Sequence, residues 1–218
     1  MTKAYWEQVF SKLRTYAGLE DLPSVTLLKR EGATPFKILI STMISLRTRD
    51  EVTLKASRTL FALADNPKDM AALEEDVIAQ AIFPSGFYKN KAKDIQNVCK
   101  ILLEQYEGAV PADQRALLEF PGVGIKTANL VLSLGFDIKA ICVDTHVHRI
   151  ANRMGWVDTK TPEETEKSLT VHLPDEYWIE ANELLVVYGQ DICTPASPHC
   201  TLCTVQEHCN KLGVLNSR

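Results

Sequence analysis

The sequence predicts an all-α protein, on three observations. Apolar residues recur at helical spacing along most of the 218-residue chain. Short turns separate these segments, and Gly and Pro are too sparse, at ten each, for a loop-dominated or fibrous chain. Only residues 140–143 read as a β-like run.

Each element has a local reason. Trp6, Val9, Phe10 and Leu13 line one face of an N-terminal helix. Thr34 and Pro35 start a second, because threonine caps the first turn and proline suits a position whose N–H has no partner. Its interior, residues 36–45, is apolar on nearly every side, as suits a helix at the centre of a bundle. Asp50 begins a helix over 51–64. Further helices are expected over 70–81, 90–106, 113–118 and 125–134, then 147–154, 162–173 and 177–189. From Asp191 the pattern stops. That tail is rich in Cys, Pro and Thr, and needs a cross-link or a metal to hold a shape.

Composition narrows the function classes. With 24 Lys and Arg against 28 Asp and Glu the net charge is −4, so bulk charge does not announce a nucleic-acid partner. Any DNA contact must come from particular groups. The N-terminus lacks the apolar core of a signal peptide. The longest apolar run, residues 36–46, is broken by Lys37, Ser41 and Thr42 and is too short to span a bilayer. The expectation is a soluble, intracellular protein. Four of the six cysteines lie within residues 193–209, and in a reducing compartment such clustering favours a metal site over disulfides.

The densest motif is Leu118-Glu-Phe-Pro-Gly-Val-Gly-Ile-Lys-Thr-Ala-Asn129. Gly122, Val123 and Gly124 form a hairpin between two helical patterns, and glycines leave backbone N–H groups uncovered at the start of the second helix. Those donors and the positive helix end suit a phosphate oxygen. On spacing alone the segment reads equally as a plain helix–helix turn. Lys126 stands in the first turn, where the dipole disfavours a cation. It is either a solvated surface lysine or an amine whose pKa is lowered by the dipole and partial burial, ready to attack carbon. The run Ile141-Cys-Val-Asp144-Thr-His146-Val-His148-Arg149 ends an apolar segment on a carboxylate. Asp144 reads as an N-cap that can also face Lys126. His146, placed among the DNA contacts, reads with His148 and Arg149 as a phosphate or packing residue, not a metal ligand. Cys193, Cys200, Cys203 and Cys209, spaced x6, x2 and x5, supply four thiolates suited to zinc or an iron–sulfur cluster. Their unequal loops point to the cluster, since zinc ribbons use two Cys-x2-Cys pairs. Cys99 and Cys142 read as buried small hydrophobes.

In this order, residues 118–129, the Val143–His146 run and the four-cysteine spacing resemble the endonuclease III family of helix–hairpin–helix DNA glycosylases. The likeness covers the chain from about Leu22 to Cys209. It implies two helical domains: a six-helix barrel over 23–136, and an iron–sulfur domain from 1–22 and 137–218. It further implies that Lys126 is the Schiff-base lysine and Asp144 the catalytic carboxylate, and that the four cysteines ligate a [4Fe–4S] cluster. The implied activity is removal of oxidised pyrimidines, such as thymine glycol, from double-stranded DNA. β-Elimination at the abasic site follows, by a monomer associated with the nucleoid in the cytoplasm. Mismatch-type thymine or uracil glycosylases share the scaffold, and a non-catalytic DNA-binding iron–sulfur module is the reading from a different class. Adenine-removing relatives normally lack lysine at this position, so Lys126 argues against that branch.

Two departures from the family stand out. Arg47 occupies the loop where well-known bacterial members carry a glutamine that fills the space left by the flipped base. It is expected to enter that void with Phe87 as an apolar wedge, or to contact a phosphate. The loop between the first two cysteines has only His199 as a basic group, where relatives often carry Lys or Arg. Lys89, Lys91 and Lys93 are expected to carry more of the phosphate contact.

Overall fold

The computed structural model describes residues 1–18 and 22–218, and every regular element among them is helical. The helices are α1 (Lys3–Tyr16), α2 (Ser24–Arg30), α3 (Pro35–Ser45), α4 (Asp50–Leu63), α5 (Pro67–Ala72) and α6 (Glu75–Ile82). They continue with α7 (Tyr88–Gln105), α8 (Gln114–Leu118), α9 (Ile125–Phe136), α10 (Thr145–Met154), α11 (Pro162–His172) and α12 (Trp178–Asp191). The chain divides into two compact units, Ser24–Ile138, and Met1–Pro23 with Lys139–Arg218.

In the continuous unit, α3 is the centre. Residues 38–44 are buried without a break, and the helix packs on α2, α4, α7 and α9. The all-round apolar pattern has its cause here: each side of α3 meets another helix. Thr34 caps it, its hydroxyl accepting from Lys37 N at 3.4 Å, with Pro35 in the first turn.

Three elements differ from the sequence expectation. Residues 70–81 are two helices, not one: Asn66 and Pro67 start α5, Leu73 ends it in extended backbone, and Glu74 starts α6. The Leu73 carbonyl at the break is satisfied from outside, by Gln96 Nε2 of α7 at 2.9 Å. The short α2 is absent from the helices that the sequence predicts. It forms because Asp50 Oδ1 accepts from both Ser24 N (2.9 Å) and Ser24 Oγ (2.7 Å). Asp50 therefore caps α2 from 26 residues away, while Arg49 stands at the cap position of α4 with no side-chain bond. Residues 140–143 are not a strand, and no strand forms among the described residues. Ile141, Cys142 and Val143 are buried, and Asn182 Nδ2 donates to Cys142 O at 3.2 Å.

In the split unit, α1 joins α10–α12 around one core. Trp6 meets Trp156 edge-on with centroids 4.9 Å apart, and Phe10 stacks on Tyr177 at 4.3 Å. The Tyr5 hydroxyl accepts from Trp156 Nε1 (2.9 Å) and donates to His208 O (3.1 Å), tying the first helix to the C-terminal segment. Burial of aromatics contributes roughly 1.5–3 kcal/mol each, enough to hold the chain's first helix against its last third. No described helix is long and apolar enough to cross a membrane.

Candidate functional site

The hairpin is built from a capped short helix and a glycine pair. Asp113 caps α8, accepting from Ala116 N at 2.9 Å. Phe120 and Val123 are buried and anchor the turn. Gly122 has φ +75°, and a Cβ there would also lie 3.0 Å from Asp94 Oδ2, so this position demands glycine. Gly124 is the N-cap of α9 and brings no side chain to its first-turn N–H groups. A Cβ on Gly124 would meet nothing within 4 Å, leaving space for a ligand to approach the backbone.

The next residues divide by face. Thr127, Ala128 and Asn129 are buried, and Asn129 Oδ1 accepts from Gln114 Nε2 at 2.5 Å, fixing α9 to α8. Lys126 is exposed. Of the two readings of this lysine, solvated or partly buried, the structure has the first: the inward turn of α9 is filled by its three neighbours, and Lys126 faces outward.

Asp144 ends the buried segment 141–143 and caps α10. Its Oδ1 accepts from His146 N (2.8 Å) and Val147 N (2.9 Å). Lys126 belongs to the continuous unit and Asp144 to the split one. His146 is half-buried between α10 and α12, with Nδ1 3.1 Å from Arg149 Nη2. A Cβ on Gly189 would lie 2.5 Å from that Nδ1, so the two helices approach closely here. These contacts give His146 a packing role.

Arg47 and Phe87 come together. The Arg47 guanidinium lies 5.4 Å over the Phe87 ring. Both residues have left-handed backbone, φ 52° and 57°, and both are exposed, Phe87 at 61%. Lys91 overturns its expected role as a phosphate contact. It is 8% exposed, and Nζ donates to Ile44 O (2.6 Å), Leu46 O (2.6 Å) and Thr48 Oγ1 (2.9 Å). An ammonium has three donors, so none remains for DNA. Burial lowers its pKa to about 8, while the three acceptors favour the charged form. Lys89 and Lys93 are exposed, because two residues along a helix is more than half a turn.

The four thiols gather in the split unit. Cys193, Cys200, Cys203 and Cys209 line one cavity with about 390 Å³ of empty volume, part of it open to solvent. Ile150, Met154, Ile192 and Val205 supply its apolar walls. Burial raises the Cys209 thiol pKa, and the other three cysteines add to that rise. Among the described residues no three Cys, His, Asp or Glu groups are placed to hold a single metal ion. Four thiols lining one cavity suit an iron–sulfur cluster or zinc by donor type.

Sequence reasoning missed what holds this loop. Arg153 Nη1 donates to Cys193 Sγ (3.3 Å) and Thr194 O (2.8 Å), and Nη2 to Pro195 O (2.6 Å). Arg149 Nε donates to Cys193 O (2.9 Å). The Tyr188 hydroxyl donates to Cys203 Sγ (3.2 Å) and accepts from Thr204 N (2.8 Å). The one available signal was the four-residue spacing of the two arginines, which puts both on one face of α10.

Comparison with known proteins follows the same lines. Residues 40–175 match the family model described as the HhH-GPD superfamily base excision DNA repair protein. Over 175 residues the chain is 48% identical to Endonuclease III of Thermotoga maritima, covering 80% of this chain and 82% of that protein. Over 216 residues it is 39% identical to Endonuclease III-like protein 1 of Mus musculus, covering 94% and 72%. A solved trapped endonuclease III–DNA covalent intermediate, an estranged-adenine complex, is similar with a TM-score of 0.76 and 36% identity. That alignment covers 82% of this chain and 84% of the solved one.

Proposed function

The chain belongs to the endonuclease III family of the HhH-GPD superfamily, and on that premise we propose that it excises oxidised pyrimidines through Lys126 and Asp144. It is a base excision repair DNA glycosylase and lyase whose partner is DNA. The observation that carries the residue assignment is the exposed Lys126 two positions after a cap with no side chain. A backbone phosphate held at the start of α9 brings its own strand to the amine.

The steps follow from these groups. The duplex is held by its phosphates, and the damaged nucleotide is turned out of the stack. Its arrival brings C1′ to the Lys126 Nζ and excludes bulk water from the reacting groups. Nζ attacks C1′, the C1′–base bond breaks, and the base leaves with a proton. The Asp144 carboxylate stabilises the positive charge that develops on the sugar. The ring opens to a Schiff base on Nζ, which acidifies the C2′ hydrogen. Loss of that proton expels the 3′ phosphate, cutting the strand on that side, and water releases the lysine.

The four cysteines would hold a [4Fe–4S] cluster, consistent with their soft donor set, their unequal spacing in sequence and their shared cavity. When bound, it supplies cross-links for a loop that has few of its own. Iron and acid-labile sulfide in a one-to-one ratio are expected in anaerobically purified protein, and zinc in their place would overturn the assignment.

Borohydride trapping tests the chemistry. A covalent adduct on abasic-site duplex is expected from the native protein and not from Lys126→Ala. An adduct that survives the substitution sinks the role of Lys126. Duplexes carrying thymine glycol, 5-hydroxyuracil, or T or U opposite G test the substrate class. Excision confined to the G·T and G·U duplexes would reject oxidised pyrimidines.

A further inference from the structure

Behind the exposed pair Arg47 and Phe87 lies a buried network that the chemistry above does not use. Helix α3 ends at Ser45, and its last carbonyls lack partners along the helix. Lys91 of α7 serves two carbonyls at this end: Nζ donates to Ile44 O and Leu46 O, and its third hydrogen reaches Thr48 Oγ1. The Thr48 hydroxyl donates its own hydrogen to Leu46 O at 3.2 Å and accepts from Gly86 N at 3.1 Å. Thus one ammonium and one hydroxyl join the turn at residues 46–49 to the turn at residues 83–87.

The two turns also touch directly. A Cβ on Gly86 would lie 2.5 Å from Arg47 O, so only glycine allows this approach. Arg47 and Phe87 flank the contact in left-handed backbone, which a non-glycine residue adopts only at a steric cost. Such conformations persist where the surroundings over-determine them. A buried ammonium is also costly compared with apolar packing. Strain and buried charge are concentrated directly behind an exposed aromatic ring with a cation stacked on it.

We propose that Lys91 is a positioning residue that locks these two turns together, so that Arg47 and Phe87 enter a damaged duplex as one stacked unit. This rests on the reading of Arg47 and Phe87 as the duplex-entering pair. Stacked rings and guanidinium groups gain from a fixed mutual orientation, and a side chain that unstacks bases must arrive already ordered to avoid losing affinity to its own entropy. The pin acts through the backbone of both turns and touches no DNA.

The test uses four single variants of the full chain, Lys91→Met, Thr48→Val, Arg47→Ala and Phe87→Ala, and the double variant Lys91→Met with Arg47→Ala. Two readouts are taken: affinity for a duplex with a tetrahydrofuran abasic analogue, and fluorescence of 2-aminopurine placed opposite it. Each pin variant should weaken abasic-duplex binding about tenfold and lower the fluorescence response, while binding of undamaged duplex stays within about twofold. The double variant should bind no more weakly than the weaker single, since both act on one unit. Thr48→Val leaves the lysine bonds to the carbonyls in place, so it decides the matter if Lys91→Met does not fold. If Arg47→Ala and Phe87→Ala leave both readouts unchanged, the duplex-entering reading fails. If they lower both while folded Lys91→Met and Thr48→Val do not, or if the double variant is additive, only the positioning role is overturned.

Discussion

A single carboxylate carries two duties at Asp144, and substitution separates them. Its Oδ1 caps α10 through His146 N and Val147 N, and its charge is the proposed partner of the opening sugar. Asparagine is as good a cap as aspartate, whereas alanine loses about 1 kcal/mol of helix stability. Asp144→Asn should therefore melt within a few degrees of the native protein yet excise base about a hundredfold more slowly. Asp144→Ala should lose both. Single-turnover excision and thermal denaturation read the two effects apart, and wild-type excision by Asp144→Asn would remove the carboxylate from the mechanism. Lys91 shows the opposite division: a charge that reads as a DNA contact is wholly taken up by three internal acceptors.

The two hairpin glycines do different work at the start of one helix. Gly122 is required by its own conformation, with φ +75° and Asp94 close by. Gly124 has ordinary extended backbone and empty space where a Cβ would go. Gly122→Ala should destabilise the protein by roughly 1–2 kcal/mol through left-handed strain. Gly124→Ala should leave stability nearly unchanged but weaken binding to damaged and undamaged duplex alike, because a methyl group then occupies the phosphate's place. Phosphate contacts carry no sequence information, so the loss should be uniform. Denaturant melts and equilibrium binding check both, and undiminished affinity in Gly124→Ala would mean that the hairpin does not meet DNA. α2 makes a related point about caps, since its N-terminus depends on Asp50 across the unit, not on a neighbour in sequence.

On the scale of the whole chain, stability is unevenly distributed. The continuous unit has α3 buried along most of its length. After Ile192, by contrast, the buried side chains are Pro198 and Val205, and the regular structure is two short 3-10 turns. That segment leans on Arg149, Arg153 and Tyr188, and on pairing of the chain end, where Arg218 N donates to Pro198 O (2.8 Å) and Thr201 N to Arg218 O (3.1 Å). A cluster-free preparation should lose amide protection across residues 193–218 while α3 and α9 keep theirs, because local openings follow local contact density. Hydrogen exchange measures this, and equal protection with and without the cluster would show that the thiolate cross-links are not what orders the tail.

Most helices were legible in the sequence because their causes are local. Apolar spacing in α1 and α3, the Thr34–Pro35 start, the Asp144 cap and the hairpin glycines all act within about one helical turn. The cysteine spacing and the hairpin motif around Lys126 stand out for the same reason, since both are patterns of residue type and separation. Lys91 was legible in principle: with Ile95, Val98 and Leu102 it shares the buried stripe of α7, but a basic run at 89, 91 and 93 looks solvated until the helix is turned. Only the tertiary structure decided that Asp50 caps α2, that Gln96 satisfies the break between α5 and α6, and that Arg47 stacks on Phe87. It alone assigned Arg149 and Arg153 to the cysteine loop some 40 residues further on. These contacts join segments far apart in the chain, and nothing in the spacing of neighbours encodes which distant polar group will complete a helix end or a loop.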